Sequence, residues 1–528
     1  MKFLLFFLFS FLLFRLSYGN TAPQRSIQNC SWIPPSHIEG RKVLSVTSRE
    51  YHNHSVPGIP AGTGQIVVNI CEVNVTFTHP GVNDTVVVQV WHPLSGYNGR
   101  FVAAGGGGFA PGGGDIALAP HVAQGYAAAS TDGGLGYNML SGRSWAFKDD
   151  GSVNVEKLRN LATRSPRDVV TVGKAVTESY YGKKPDYSYW YGCSTGGRQG
   201  MEAAQRYPEL FDGILAGAPA IFWDKLIPSL FWPQVVMKEE GVFPSPCELN
   251  AVTKAGITSC DRIDGVEDGV ITDLSKCTFD AFKAVGMKVQ CDGKEVTITP
   301  STASIVKKIW EGPTTNDGKI LWDGLTIPTS LESLSNSSLV GGKRIGNPFA
   351  IVASWIQDFI KEDVDFDLAS IDRTAFTAIF AESVAKYSHV ISSSKTHLSA
   401  LQKSGTKLLH WHGEADQLIP STDASRYREK VEKVMGGNAK VNEFYRLFLA
   451  PGVDHCGYGT TPGAVPIDPL GVLRSWVENG TAPEIVLART PDWLPVQFTR
   501  KLCIYPLVAK YRGYGDSTSA ESFECVRQ

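Results

Sequence analysis

The chain of 528 residues is poor in charge: Asp, Glu, Lys and Arg make up 19% of it, against about 25% in an average soluble protein. It also has no excess of either sign, since 50 basic and 52 acidic side chains leave a net charge of −2. No polycationic field exists to hold a phosphate backbone, so nucleic acid is excluded as a partner. CxxC pairs are absent and the cysteines are scattered, which argues against a zinc ribbon or a thioredoxin-type redox site. No G-K-[S/T] follows any glycine run, so no phosphate-cradling loop is indicated. Beyond the N-terminus no stretch approaches the roughly 18 uninterrupted apolar residues of a membrane span. The chain has neither an internal repeat nor low-complexity sequence apart from one glycine loop.

What is abundant is apolar sequence, at 43%, with 53 glycines and 30 prolines. That composition describes a folded chain rich in loops rather than a disordered or helical-bundle protein. Residues 1–19 begin with Lys2 and continue through FLLFFLFSFLLF, too short to cross a bilayer as a helix and best read as a secretory signal cleaved near Gly19, with a short membrane anchor as the alternative. An even set of ten cysteines follows, which in a secreted chain suggests five disulfides. Asn-X-Ser/Thr acceptors at Asn29, Asn53, Asn74, Asn83, Asn336 and Asn479 fit the same extracellular destination, and some of them arise by chance.

β-branched residues dominate 66–77 and 85–91, which predicts strands in an N-terminal sheet. Arg100-Phe-Val-Ala-Ala reads as a strand running into the glycine runs 105–108 and 112–114. Residues 168–181 have helical spacing, 187–191 read as a strand and 198–206 as a helix. This alternation predicts an α/β fold around a parallel sheet. Between 220 and 395 the rhythm is broken by aromatics and four cysteines, which suggests an inserted domain splitting a core of 20–219 and 396–528. Core strands resume at 407–412 and 444–450, and an amphipathic helix at 468–479.

The predicted strand at 187–191 leads through Gly192-Cys193-Ser194-Thr195-Gly196 into a helix, the strand-turn-helix setting of a G-x-S-x-G nucleophile elbow. A serine hydroxyl needs a base, and the base an orienting carboxylate. Asp416 follows one later core strand and His455 another. The order Ser194, Asp416, His455 is that of the α/β hydrolases and not of trypsin-like or subtilisin-like enzymes. Oxyanion donors are expected from the N–H of Thr195 and from Gly107 or Gly108 in the glycine loop. Cys193 precedes the nucleophile and Cys456 follows the base, so a bridge between them would tie the two loops together. Separately, Asp261, Asp264 and Asp268 stand at intervals of three and four residues among glycines. Hard oxygen donors so spaced suit Ca²⁺, although the pattern is not an EF-hand and is equally that of a solvated acidic turn.

YGCSTGGRQGMEAAQRYPELFDGILAGAPA, HGEADQLIP and GVDHCGYG together resemble the tannase and feruloyl esterase family, across nearly the whole mature chain. The resemblance implies an α/β-hydrolase core with a large inserted lid domain, Ser194 as nucleophile, His455 as general base and acid, Asp416 as its orienting carboxylate, and a Cys193–Cys456 clamp. It also implies a structural calcium loop in the lid, with side chains of Asp261, Asp264 and Asp268 and backbone oxygens of Val266 and Val270 as ligands, and no organic cofactor. The further pairs it implies are Cys260 with Cys277, Cys503 with Cys525 and Cys30 with Cys71, with Cys247 and Cys291 the pair that remains. The expected substrate is a small aromatic ester or an esterified polysaccharide, and lid aromatics between Phe222 and Phe359 are candidates for stacking on its ring. A feruloyl esterase is the preferred reading and a tannase the alternative. A serine peptidase and a catalytically silent binding protein are the competing classes.

Overall fold

The structure, a computed structural model, describes residue 30 and residues 38–60, 62–291 and 293–527. The expected signal segment and the Asn29 acceptor lie outside the described residues. Nine strands form one sheet in the order β1-β2-β3-β5-β4-β6-β7-β8-β9. They are β1 (Lys42–Pro57), β2 (Gln65–Thr78), β3 (Val86–Pro93), β4 (Arg100–Ala104), β5 (Ala127–Thr131), β6 (Tyr187–Cys193), β7 (Gly213–Gly217), β8 (Lys407–Gly413) and β9 (Tyr445–Ala450). β1 to β3 are antiparallel and β3 joins β5 antiparallel. From β5 to β9 every pairing is parallel. Parallel strands all point their C-terminal ends to one edge, which is where a parallel α/β sheet gathers loops from distant parts of the chain.

Helices cover both faces, as a parallel sheet requires. In β4, Phe101 and Ala103 pack with Val169, Val172 and Val176 of α2 (Ser165–Tyr181). The intervening Val102 packs with Leu470, Leu473 and Trp476 of α5 (Pro469–Asn479) on the opposite face. α1 (Gly114–Val122) lies against β5, α3 (Thr195–Arg206) against β6 and β7, and α4 (Ser421–Met435) against β8 and β9. Two expected elements shift in extent and one strand is new. α3 begins at Thr195 rather than 198, because its glycines tolerate the crowded first turn in spite of their poor helix propensity. α2 begins at Ser165 with Pro166 in its first turn, where a missing N–H costs nothing. β1 is a 16-residue strand that the sequence pattern did not announce.

Between β7 and β8 the chain leaves the sheet. It runs through helices Trp223–Ser229, Trp232–Glu240, Pro246–Cys260, Pro300–Glu311 and Arg373–Ile391 and two short hairpins. Trp223, Trp355, Phe359 and Tyr387 form its aromatic centre. Phe359 stacks on Phe109 at 5.7 Å between centroids, and Phe109 directly follows the first glycine run, so the inserted segment packs against that loop. Disulfides join Cys30–Cys71, Cys193–Cys456, Cys247–Cys291, Cys260–Cys277 and Cys503–Cys525. Among the described residues no helix is long and apolar enough to cross a membrane.

Candidate active site

Ser194 follows β6 at φ 63° and ψ −122°, a conformation that L-residues adopt only when the surroundings impose it. Gly192 and Gly196 explain how the turn closes: a Cβ on Gly192 would meet the backbone of Gly196 at 2.5 Å. The backbone N–H of Ser194 donates to Gly217 O at 3.1 Å, pinning the turn to the end of β7. With the N-terminus of α3 directly behind it, the serine hydroxyl sits where partial positive charge favours a developing anion.

Asp416 and His455 lie in the loops after β8 and β9. Their side chains meet at 2.8 Å between Asp416 Oδ2 and His455 Nδ1, and at 3.0 Å from Oδ1. Asp416 is fully buried, and its Oδ1 also accepts the N–H groups of Leu418 (2.9 Å) and Ile419 (2.8 Å). Burial alone would raise its pKa; the charge of His455 and hydrogen bonds from His412 and His455 outweigh it and hold the carboxyl well below the usual range. For His455, burial disfavours the cation, but the Asp416 charge and hydrogen bond prevail and raise its pKa above 6.5. Ser194 and His455 are held by the Cys193–Cys456 bridge, whose Cα atoms are 6.1 Å apart. No hydrogen bond joins Ser194 Oγ to His455 in this structure; such contacts commonly tighten only when substrate is bound.

Asp454, next to His455, makes no hydrogen bond to the imidazole and adds only the smallest of the charge effects on its pKa. Its Oδ1 accepts from Gly459 N at 3.0 Å, and Thr461 Oγ1 accepts from its own N–H. Two groups that the sequence reading missed support the pair: Gln417 Oε1 accepts the backbone N–H of His455 at 3.0 Å, and His412 donates to Ile419 O at 2.9 Å beside the Asp416 carboxylate. His412 lies within the buried stretch of β8, and only the fold reveals that its ring faces the acid loop.

The two glycines considered for the oxyanion separate. Gly107 N–H donates to Ala110 O at 3.1 Å, so it is committed to a tight turn and is corrected as a donor. Gly108 has φ +52° and lies beside Ser194 and Thr195 on the wall of one pocket. Among the described residues neither its N–H nor that of Thr195 is taken by another group, and Thr195 Oγ1 donates to Gly108 O at 2.7 Å, holding the two together. The remaining wall is apolar, from Trp223, Leu226, Leu230, Phe349, Ile351 and Leu418. Its free space is about 30 Å³, room for one or two waters. Of the other aromatics considered for stacking, Trp232, Trp322, Trp355 and Phe359 are buried in hydrophobic cores.

In the acidic loop, Asp261 accepts from the N–H of Asp268 and Gly269, Asp264 from Val266 N and Thr272 Oγ1, and Asp268 from Val270 N while pairing with Arg500. Burial raises the pKa of all three carboxyls, and repulsion between them adds to it. Asp261 and Asp264 are buried and Asp268 is half-buried against Arg500, and three hard-oxygen groups suit a divalent cation chemically. Among the described residues, however, no three acidic, His or Cys side chains are gathered as a metal would need. Of the glycan acceptors, Asn53, Asn83 and Asn479 are exposed, whereas Asn74 and Asn336 are half-buried, and Asn74 Nδ2 donates to Glu72 at 2.9 Å.

Residues 71–526 match the profile of the family described as tannase and feruloyl esterase. A probable feruloyl esterase of Arthroderma benhamiae is 49% identical over 507 residues, covering 95% of this chain and 94% of that protein. A tannase of Aspergillus oryzae is 29% identical over 549 residues, covering 91% and 88%. The solved structure of a tannin acyl hydrolase from Aspergillus niger superposes with a TM-score of 0.85 at 26% identity, covering 94% of each chain. The fold is accordingly the α/β-hydrolase fold expected from the order of the site residues.

Proposed function

The chain belongs to the tannase and feruloyl esterase family and is a carboxylic ester hydrolase; within that family we propose that it is a secreted feruloyl esterase acting on hydroxycinnamoyl esters of plant cell-wall polysaccharides. The observation that carries the mechanism is the Asp416–His455 pair at 2.8 Å, tethered through Cys456–Cys193 to Ser194. Ser194 Oγ attacks the ester carbonyl while its proton passes to His455 Nε2. The N–H groups of Thr195 and Gly108 hold the oxyanion. Collapse expels the alcohol, which takes the proton from His455, and water then repeats the sequence to release the acid. Asp416 stays ionised and fixes the imidazole with its Nδ1 proton inward. Segment 220–395 acts as the lid over the acyl group.

The acyl preference rests on the 49% identity with a probable feruloyl esterase. The superposition on a tannin acyl hydrolase favours tannase as the second reading. Secretion is supported by residues 1–19 and by the five disulfides. Calcium in the acidic loop would be held by the side chains of Asp261, Asp264 and Asp268 and the carbonyls of Val266 and Val270, with Asp268 released from Arg500; its role is structural. A rise in melting temperature on adding Ca²⁺ to chelated protein, absent in Asp264→Ala, is the expected result.

The deciding experiment compares hydrolysis of methyl ferulate, caffeate and p-coumarate with methyl gallate, using Ser194→Ala as control. Cleavage of the cinnamates that the variant loses supports the proposal. Preference for gallate makes the protein a tannase, and silence on all four despite fluorophosphonate labelling of Ser194 means the acyl group is wrong.

A further inference from the structure

A second and larger cavity, of about 760 Å³, lies between the inserted segment and the catalytic core, and it shares no wall residue with the pocket beside Ser194. Its volume falls within the roughly 300–1,000 Å³ of small-molecule sites. One wall comes from residues 274–281 and 307–327, and the other from Glu414, the start of α4, Leu449 and Tyr505.

Glu414 is the unexpected member. It is only 6% exposed, it lines the cavity, and among the described residues its carboxyl has no hydrogen-bond or ion-pair partner. Its backbone is fixed at both ends: the N–H donates to Ala450 O at 2.9 Å and the carbonyl accepts from Thr326 Oγ1 at 2.6 Å. Its carboxyl oxygens open onto the cavity and, among the described residues, are paired with no protein group, so they are free to bond to whatever enters it. The ester hydrolysis described above makes no use of it. Burial, helped by the nearby Asp273, raises its pKa to about 8, so at neutral pH it can both donate and accept.

The other walls narrow the chemistry. Phe279 and Trp310 meet edge to face at 6.3 Å, a rigid aromatic corner. Of the charged lining, Glu311 pairs with Lys307 and Asp323 with Arg426, so among the described residues no unpaired cation lines it to hold an anion such as a free aromatic acid. An apolar corner facing hydrogen-bonding groups, without net positive charge, matches a ligand that has C–H faces and hydroxyl edges. We propose that this cavity binds a neutral oligosaccharide, with a sugar ring against Phe279 and Trp310 and a hydroxyl on Glu414. The site would hold glycan independently of whichever acyl group is cleaved at Ser194.

Calorimetric titration with unesterified xylotriose and maltotriose, with ferulate as the anionic comparator, tests this on the full chain before and after fluorophosphonate blocks Ser194. The expected result is binding of at least one trisaccharide with the same Kd in both states, and none of ferulate to the blocked protein. Trp310→Ala and Glu414→Leu should each raise Kd about tenfold or more, while Glu414→Gln, which keeps a donor and an acceptor, should stay near wild type. Absence of trisaccharide binding, its loss on blocking Ser194, or an unchanged Kd in a folded Trp310→Ala protein would each overturn the proposal.

Discussion

Replacing Asp416 by Asn tests the site most directly, because the surrounding bonds dictate how the new side chain must sit. Asp416 Oδ1 accepts two backbone N–H groups, from Leu418 and Ile419, so the amide oxygen has to take that position. The amide NH₂ then replaces Oδ2, 2.8 Å from His455 Nδ1. Two donors facing each other at the closer position, with the oxygen at 3.0 Å already bonded to two backbone N–H groups, favour Nδ1 as the acceptor and the imidazole proton on Nε2. In that tautomer Nε2 cannot receive the proton of Ser194. Such a trapped tautomer lowers kcat by about 10⁴, or about 5.4 kcal/mol of activation free energy. The shape of the side chain and both backbone bonds survive, so the protein should still fold. A second readout follows from the pKa. Asp416 is the main cause that raises His455 above 6.5, with a smaller push from Asp454, and the active form has neutral His455, so wild-type kcat/KM climbs with pH through that raised value. In the variant the acid limb of any residual activity should move to lower pH. The assay is kcat/KM for methyl ferulate between pH 4 and 9, with Asp454→Asn as the paired control. The control should stay within about tenfold of wild type, because the Asp454 carboxylate serves its own loop. If Asp416→Asn keeps more than a tenth of wild-type kcat, or if Asp454→Asn is the more damaged variant, the assignment of the orienting carboxylate is wrong.

Three other perturbations read separate parts of the structure. Removing the clamp as Cys193→Ala with Cys456→Ala opens a loop of 263 residues, for which chain entropy gives about 5–6 kcal/mol at 25 °C; the melting temperature should fall, and kcat should fall about 10²-fold as the serine and imidazole separate, whereas loss of stability with kcat intact would make the bridge merely structural. Gly108→Ala places a Cβ at 1.9 Å from Met139 O at a positive φ, whereas a Cβ on Gly107 meets only the Met139 sulfur at 3.1 Å; kcat should fall about 10²-fold or more in the first and stay near wild type in the second, and the reverse order would reassign the oxyanion donor. His79 is held between Asp84 (2.7 Å) and Asp168 (3.0 Å), with Arg41 on Asp168 and Asn160 on Asp84. Burial would lower its pKa but the two carboxylates raise it to about 9, so its contribution is complete below pH 6.5 and is lost as pH rises through about 9. His79→Gln should destabilise by about 3 kcal/mol at pH 6 and flatten the decline in melting temperature from pH 6.5 to 9; an unchanged decline would place its cause elsewhere.

The elements that could be read from the sequence are those whose composition already resembles their environment. The segments at 66–77, 187–191, 407–412 and 444–450 are dominated by β-branched, aromatic or leucine residues, and β2, β6, β8 and β9 lie there. β5, Ala127–Thr131, and β7, Gly213–Gly217, could not be read in this way. AAAST and GILAG have little intrinsic strand preference, and these five-residue segments are strands because both neighbours and both faces are supplied by distant residues. The same division runs through the site. Ser194, Asp416 and His455 stand at strand ends whose order along the chain carries chemical meaning. Gln417 and His412 carry no such mark, since the amide acquires its role only when the β8 and β9 loops meet and the imidazole only when the loop after β8 folds back over it. Gly107 and Gly108 are indistinguishable as letters, and only a single turn bond to Ala110 O separates them. Glu414 makes the point most sharply. It lies two residues before Asp416 in the same loop, yet one carboxyl is surrounded by donors and ionised while the other faces a cavity with its pKa raised to about 8. Both are carboxylic acids in one loop, so the difference in chemistry comes from which packed surfaces meet each side chain.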